Sequence, residues 1–171
     1  MRQILRYFAE FIGAGTAIPI IPEMKERDAL VLSIREKFSD LIFSGQKTVE
    51  LRRVRPNLLP GDQLLVYVPE PIGAFVGSLS VEATIAASPA KLWLSVGPHC
   101  GLSRAAFFAY FKNAKMAYAI RIGAPARWSE PVTRNVVQAA YPPFRAPQGY
   151  MYLRVDRDSS HPLRELLRTA A

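Results

Sequence analysis

The segment Thr48-Val49-Glu50-Leu51-Arg52-Arg53 constrains this chain more than any other. Its residues alternate with a period of two. Thr48, Glu50 and Arg52 therefore fall on one face of a strand, and Val49 and Leu51 on the other. The apolar face has to be buried. The charged face then either lines a polar cleft or closes an ion-pair network inside a narrow barrel, since an unpaired buried charge is strongly unfavourable. Upstream, Phe38, Leu41 and Ile42 share one helical face and predict a helix over 34–44. Ser33-Ile34-Arg35-Glu36 reads as a capping box: the Ser33 hydroxyl accepts from the backbone N–H three residues on, and Glu36 reaches back. Gly45 follows as the C-terminal stop.

The rest of the chain extends this β-rich pattern. Ala29-Leu30-Val31-Leu32 is a short buried strand. Pro60-Gly61-Asp62 is a turn, Gln63–Val68 an apolar strand ended by Pro69 and Pro71, and Phe75–Ala83 another, with Gly77 at a bulge or close approach. Pro89–Leu94 suits one helical turn or more. Ser103 caps a further helix crowded by Phe107, Phe108, Tyr110 and Phe111. Ala117–Ile122 and Gly149–Val155 are strands, and the proline-bearing stretch 123–147 reads as a long surface connection. Short strands with few helices predict an α+β fold: a curled, barrel-like sheet of five to six strands with flanking helices. The lack of a Gly-rich phosphate loop argues against a nucleotide-binding α/β fold.

The chain has 171 residues, 50% hydrophobic and 21% charged, enough for one domain with a real core. Before that domain lies an arm, 1–28. Ile4, Leu5, Phe8, Phe11 and Ile12 suit a short amphipathic helix over 2–12, and a Gly/Pro linker follows. Met24 directly precedes the first strand and offers an alternative start of translation. A C-terminal tail, 156–171, has a composition open to helix formation. Arg6 and Glu10 interrupt the N-terminal apolar run, which argues against a secretory signal, and no run approaches the ~20 residues of a membrane span. The single cysteine, Cys100, cannot form an internal disulfide and favours a reducing, cytoplasmic setting. Two distant histidines, His99 and His161, give no metal-ligand spacing, so no metal or cofactor is expected. With 22 Lys plus Arg against 14 Asp plus Glu, the net charge is +8, which favours polyanionic partners.

The order of these pieces resembles an ASCH domain, a relative of PUA-like modules. The resemblance runs through Leu32–Phe38, then Ile42-Phe43-Ser44-Gly45-Gln46-Lys47-Thr48-Val49-Glu50-Leu51-Arg52-Arg53, then Gly61-Asp62, Val66-Tyr67-Val68, Val76-Gly77 with Glu82, Tyr118-Ala119-Ile120 and Pro147-Gln148-Gly149-Tyr150. The domain is expected over 29–155. The resemblance implies a PUA-like curled barrel with a cleft beside the first helix, and RNA binding or a regulatory role. Some relatives are nucleases, and small ones are amidohydrolases of acylated cytidines that use a Lys and, three residues on, a Thr. Here Lys47 is present but Glu50 stands at the third position.

The residues read as chemistry give the same choice. In a cleft, Lys47 and Arg52 would bind phosphate or carbonyl oxygens and Glu50 would accept from a base amino group. Ser33 and Lys37 lie at the start of the helix near the same mouth. Arg53 continues the basic run. Tyr67 and Tyr150, each ending a strand near a Pro-rich loop, are the preferred stacking faces. The leading expectation is a nucleic-acid-binding module, for RNA or another single strand, reading an unpaired or flipped nucleotide. The alternatives are a hydrolase of RNA or of a modified nucleoside, with Lys47 and Glu50 as its acid–base pair, and a regulator sensing a small nucleoside-like ligand, its arm contacting a partner.

Overall fold

The computed structural model describes residues 29–153. The expected helix over 2–12, Met24 and the tail over 156–171 lie outside them. In chain order the elements are β1 (Ala29–Ser33), α1 (Glu36–Phe43), β2 (Val49–Arg52), β3 (Gln63–Val68), β4 (Ala74–Ala87), α2 (Pro89–Val96), α3 (Arg104–Tyr110), β5 (Ala117–Thr133), α4 (Arg134–Ala140) and β6 (Tyr150–Leu153). The strands form one six-stranded sheet in the order β2-β5-β4-β3-β1-β6, curled into a half-barrel. The expected α+β fold, a curled barrel-like sheet of five to six strands with flanking helices, is what the chain forms. β1 and β3 pair in parallel, and every other pair is antiparallel. A parallel pair needs a crossover, and α1 with β2 supplies it.

Alternation along the strands divides the apolar residues between two faces. Leu30, Leu32, Leu64, Val66 and Ile120 point into the curl, where α1 packs Ile42, Phe38 and Phe43 against them. Val31, Leu65 and Phe75 point outwards and meet Val137 of α4 and Phe144. Val49 and Leu51 point outwards beneath Leu92 of α2 and Phe107 of α3. Glu50 is the cross-strand partner of Ile120, so it shares Ile120's inward face. The alternation read in the sequence thus places Glu50 and Arg52 inside the curl.

Ser103 caps α3 as expected, its hydroxyl accepting from the Ala106 N–H at 3.2 Å. Gly45 follows α1 at φ +78°, the left-handed stop glycine favours. The capping box does not form. Arg35 is the residue before α1 and makes no side-chain cap. Ser33 is instead the last residue of β1, and its N–H donates to the Gly149 carbonyl at 2.9 Å.

The stretch 123–147 also departs from expectation. β5 runs on to Thr133, and α4 follows it directly. The prolines fit because the β4–β5 ladder shifts register around them. Ser78 pairs with Ala126 and Ser80 with Gly123, so Pro125 falls in one bulge; Phe75 pairs with Val132 and Gly77 with Arg127, so Pro131 falls in another. Neither position owes the ladder an N–H.

Gly77 sits at one of these irregularities. A Cβ there would meet the Ala126 carbonyl oxygen and lie 2.6 Å from the Phe43 ring, which confirms the close approach read from the sequence. Backbone on one side and a packed ring on the other cannot both retreat. Gly77→Ala is therefore expected to cost about 1–3 kcal/mol, read as a lower urea midpoint with an unchanged slope.

Candidate functional site

Lys47 leaves the turn after α1 and runs inward until it is only 3% exposed. Its ammonium donates to the Val49 carbonyl at 2.6 Å and to the Cys100 carbonyl at 2.9 Å, and it lies 3.1 Å from Glu50 Oε2. An ammonium has three protons, and these contacts engage all of them. The chain after Cys100 is shaped for the fit. Gly101 has φ +71°, and a Cβ there would crowd the Lys47 and Leu41 side chains at 3.2–3.3 Å.

Glu50 is divided between two cations. Its Oε1 lies 3.1 Å from Arg52 Nη2 while Oε2 faces Lys47. Arg52 crosses the inside of the curl to the opposite edge of the sheet, where Nη1 donates to the Gly149 carbonyl at 3.4 Å. β2 and β6 are the two edge strands, so this reach closes part of the seam between them. A second link is the Asn57 N–H, which donates to the Tyr152 hydroxyl at 2.9 Å.

The network is incomplete at Arg52. Arg52 is 9% exposed, yet its Nε and Nη2 make no hydrogen bond; the Glu50 contact is close enough for an ion pair but misaligned as a hydrogen bond. The Ser33 Oγ is also buried without a partner. Ser33 and Arg52 converge on one atom, the Gly149 carbonyl, which accepts from both. Two positive side chains against one carboxylate leave the trio with a net charge of +1. The site is thus a small polar region with surplus positive charge and donor groups without acceptors. Buried donors of this kind are rare without a ligand or water to fill them.

Tyr110, from the end of α3, flanks this region and donates to the Leu51 carbonyl at 3.4 Å. Burial raises its pKa above the ordinary 10.0, Arg52 opposes the rise, and Glu50 adds to it.

The structure thus brings together Ser33, Lys47, Glu50 and Arg52 of the residues expected in the site. Lys47, expected to bind a ligand's oxygens, donates here to the protein's own carbonyls. Lys37 is exposed, its ammonium 4.8 Å from the centre of the Phe38 ring; the buried Lys47 ammonium lies 5.6 Å from the same ring. Arg53 is exposed and donates to the Lys112 carbonyl at 3.2 Å. Tyr150 is half-buried, edge-on to Tyr152. Tyr67 does not belong to the site. It is 1% exposed, its ring held by Phe75 and Phe144, and no face is left for a base. Its position at the end of β3 suggested a rim, but the outer helix and the Phe144 loop cover it. Three participants were not singled out from the sequence. The Cys100 and Gly149 carbonyls act through the backbone, which carries no side-chain signature. Tyr110 is one of several tyrosines that could offer a stacking face, and its sequence position alone does not set it apart from Tyr118 or Tyr152.

A family model, the ASCH domain, matches residues 32–126, more than half of the chain. Among solved structures, ASCH from Zymomonas mobilis aligns with a TM-score of 0.75 at 23% identity, covering 86% of this chain and 98% of that one. Two mutant proteins of the same Zymomonas mobilis ASCH also align at TM-score 0.75, with 23% and 24% identity, each covering 85% of this chain. No curated protein matches the sequence. At this identity the structural likeness establishes the fold.

Two outcomes follow from the geometry. Glu50→Gln leaves Lys47 and Arg52 as neighbouring buried cations and is expected to lower stability by about 3 kcal/mol in urea unfolding; a change within ~0.5 kcal/mol would mean the ion pairs are idle. Tyr110 has a raised pKa in the folded state, so its contribution to stability is intact below pH 10.0 and is lost as pH rises through the folded value. Tyr110→Phe should flatten the alkaline fall in the unfolding midpoint. Tyr67, whose pKa burial also raises, contributes to the same fall.

Proposed function

This chain belongs to the ASCH domain family, and we propose that it binds single-stranded nucleic acid, RNA in the first place, by taking one unpaired nucleotide into the polar region around Arg52. The observation that carries this reading is the buried guanidinium of Arg52, with Nε and Nη2 lacking hydrogen-bond acceptors. A base carbonyl or ring nitrogen supplies the missing acceptors in a planar arrangement that suits a guanidinium. The Ser33 hydroxyl adds a group that can donate or accept. Glu50 orients Arg52 and offers its carboxylate to a base amino group. Lys47 binds nothing external; it holds Glu50 in place. The chain's net charge of +8 supports a polyanionic partner.

Hydrolysis of a modified nucleoside or a phosphodiester has weaker support. Both Glu50 oxygens face cations, Lys47 has no free proton to offer, and Glu50 stands three residues after Lys47 where the amidohydrolases have threonine.

The test is binding of a mixed RNA pool at two salt concentrations. Arg52→Ala is expected to weaken binding at least tenfold, about 1.5–3 kcal/mol for a charge-assisted hydrogen-bond donor, and to leave the salt slope nearly unchanged, because the contact is to a base. Arg52→Lys keeps the charge without the planar fork and should rescue little of the loss. Unchanged affinity in a folded Arg52→Ala protein overturns the proposal.

A further inference from the structure

The rim beside Arg52 is built from β2, the end of α3 and the loop that follows. Tyr110 ends α3, is 39% exposed, and meets Phe111 edge-to-face at 4.8 Å between ring centres, which fixes the plane of its ring. Its hydroxyl bond to the Leu51 carbonyl anchors the far end of the ring to β2, one residue before Arg52. Arg53 directly follows Arg52, yet it serves a different place: its Nη2 donates to the Lys112 carbonyl, which sets the Arg53 guanidinium against the loop carrying the Lys112 ammonium. Arg53 and Lys112 are both exposed, and among the described residues neither forms an ion pair with a carboxylate. Arg53 and Arg52 both lie close enough to Tyr110 to favour its ionised form, so ring and cations share one neighbourhood.

We infer that Tyr110, Arg53 and Lys112 form a second subsite next to the Arg52 pocket, taking the adjoining nucleotide of the same strand with its base on the Tyr110 ring and its phosphate between the two cations. This deepens the nucleotide-pocket reading and rests on it. An anchored aromatic face accepts any base. Two exposed cations without carboxylate partners suit a phosphate, which a free nucleoside lacks. The ligand class is therefore a strand of two or more nucleotides. The pocket discriminates through base hydrogen bonds, and the rim adds affinity that is indifferent to sequence and sensitive to salt.

The experiment compares ribonucleoside monophosphates with short single-stranded RNA of mixed sequence. The proteins are wild type, Tyr110→Ala, Tyr110→Phe, Arg53→Ala/Lys112→Ala and Arg52→Ala. RNA should bind wild type more tightly than any monophosphate. Tyr110→Ala should weaken RNA binding about tenfold and leave monophosphate binding unchanged. Tyr110→Phe, which keeps the ring, should retain RNA affinity; this separates stacking from the hydroxyl bond. Arg53→Ala/Lys112→Ala should lower the salt slope by about one, whereas Arg52→Ala should weaken both ligands. Monophosphate binding that depends on Arg52, with RNA no tighter and indifferent to Tyr110→Ala, overturns the second subsite and leaves the pocket standing. Failure of Arg52→Ala to affect either ligand overturns both.

Discussion

The inner end of this half-barrel depends on a single carboxylate. Glu50 sits between Lys47 and Arg52, and without it the curl would hold two cations facing one another in a region with little water. Each cation it stabilises fastens a different part of the chain. Lys47 ties the turn after α1 to the backbone at Cys100, fifty-three residues away. Arg52 ties one sheet edge to the other at Gly149. One acidic side chain thus couples α1, the segment after α2 and the seam of the sheet, while one positive charge of the trio stays without a carboxylate of its own. The network that fastens these parts together is also the one that holds the unsatisfied Arg52 and Ser33 groups.

Much of this was legible in the residues. Period-two alternation from Thr48 to Arg53 fixed which side chains point inward, because a half-buried strand has only two faces and Val49 and Leu51 claim the outer one. The Phe38, Leu41 and Ile42 spacing and Gly45 located α1. These signals are local, and local signals survive folding when the tertiary structure agrees with them. Ser33 shows the opposite case. A serine three residues before a glutamate has a good local reason to cap a helix, but the strand pairing of β1 claimed its backbone first.

What the sequence could not convey is mostly long-range. Whether Lys47 meets a ligand or a carbonyl depends on where Cys100 is brought, and Tyr67 is core only because Phe144 and α4 return to cover it. The stretch 123–147 misled for a related reason. Proline counts against a strand unless the ladder skips it, and the skipping is a property of the partner strand β4.

Those same bulges affect how the molecule meets its neighbours. β2 covers β5 only from Tyr118 to Arg121, so among the described residues the later half of β5 has a sheet partner on one side alone. An open strand edge of that length would ordinarily invite a strand from another copy. Here Pro125 and Pro131 lack an N–H, and Ala124, at φ +41°, turns the backbone out of line between them and Gly123. The interruptions that made this stretch read as a loop make it a poor template for intermolecular sheet growth.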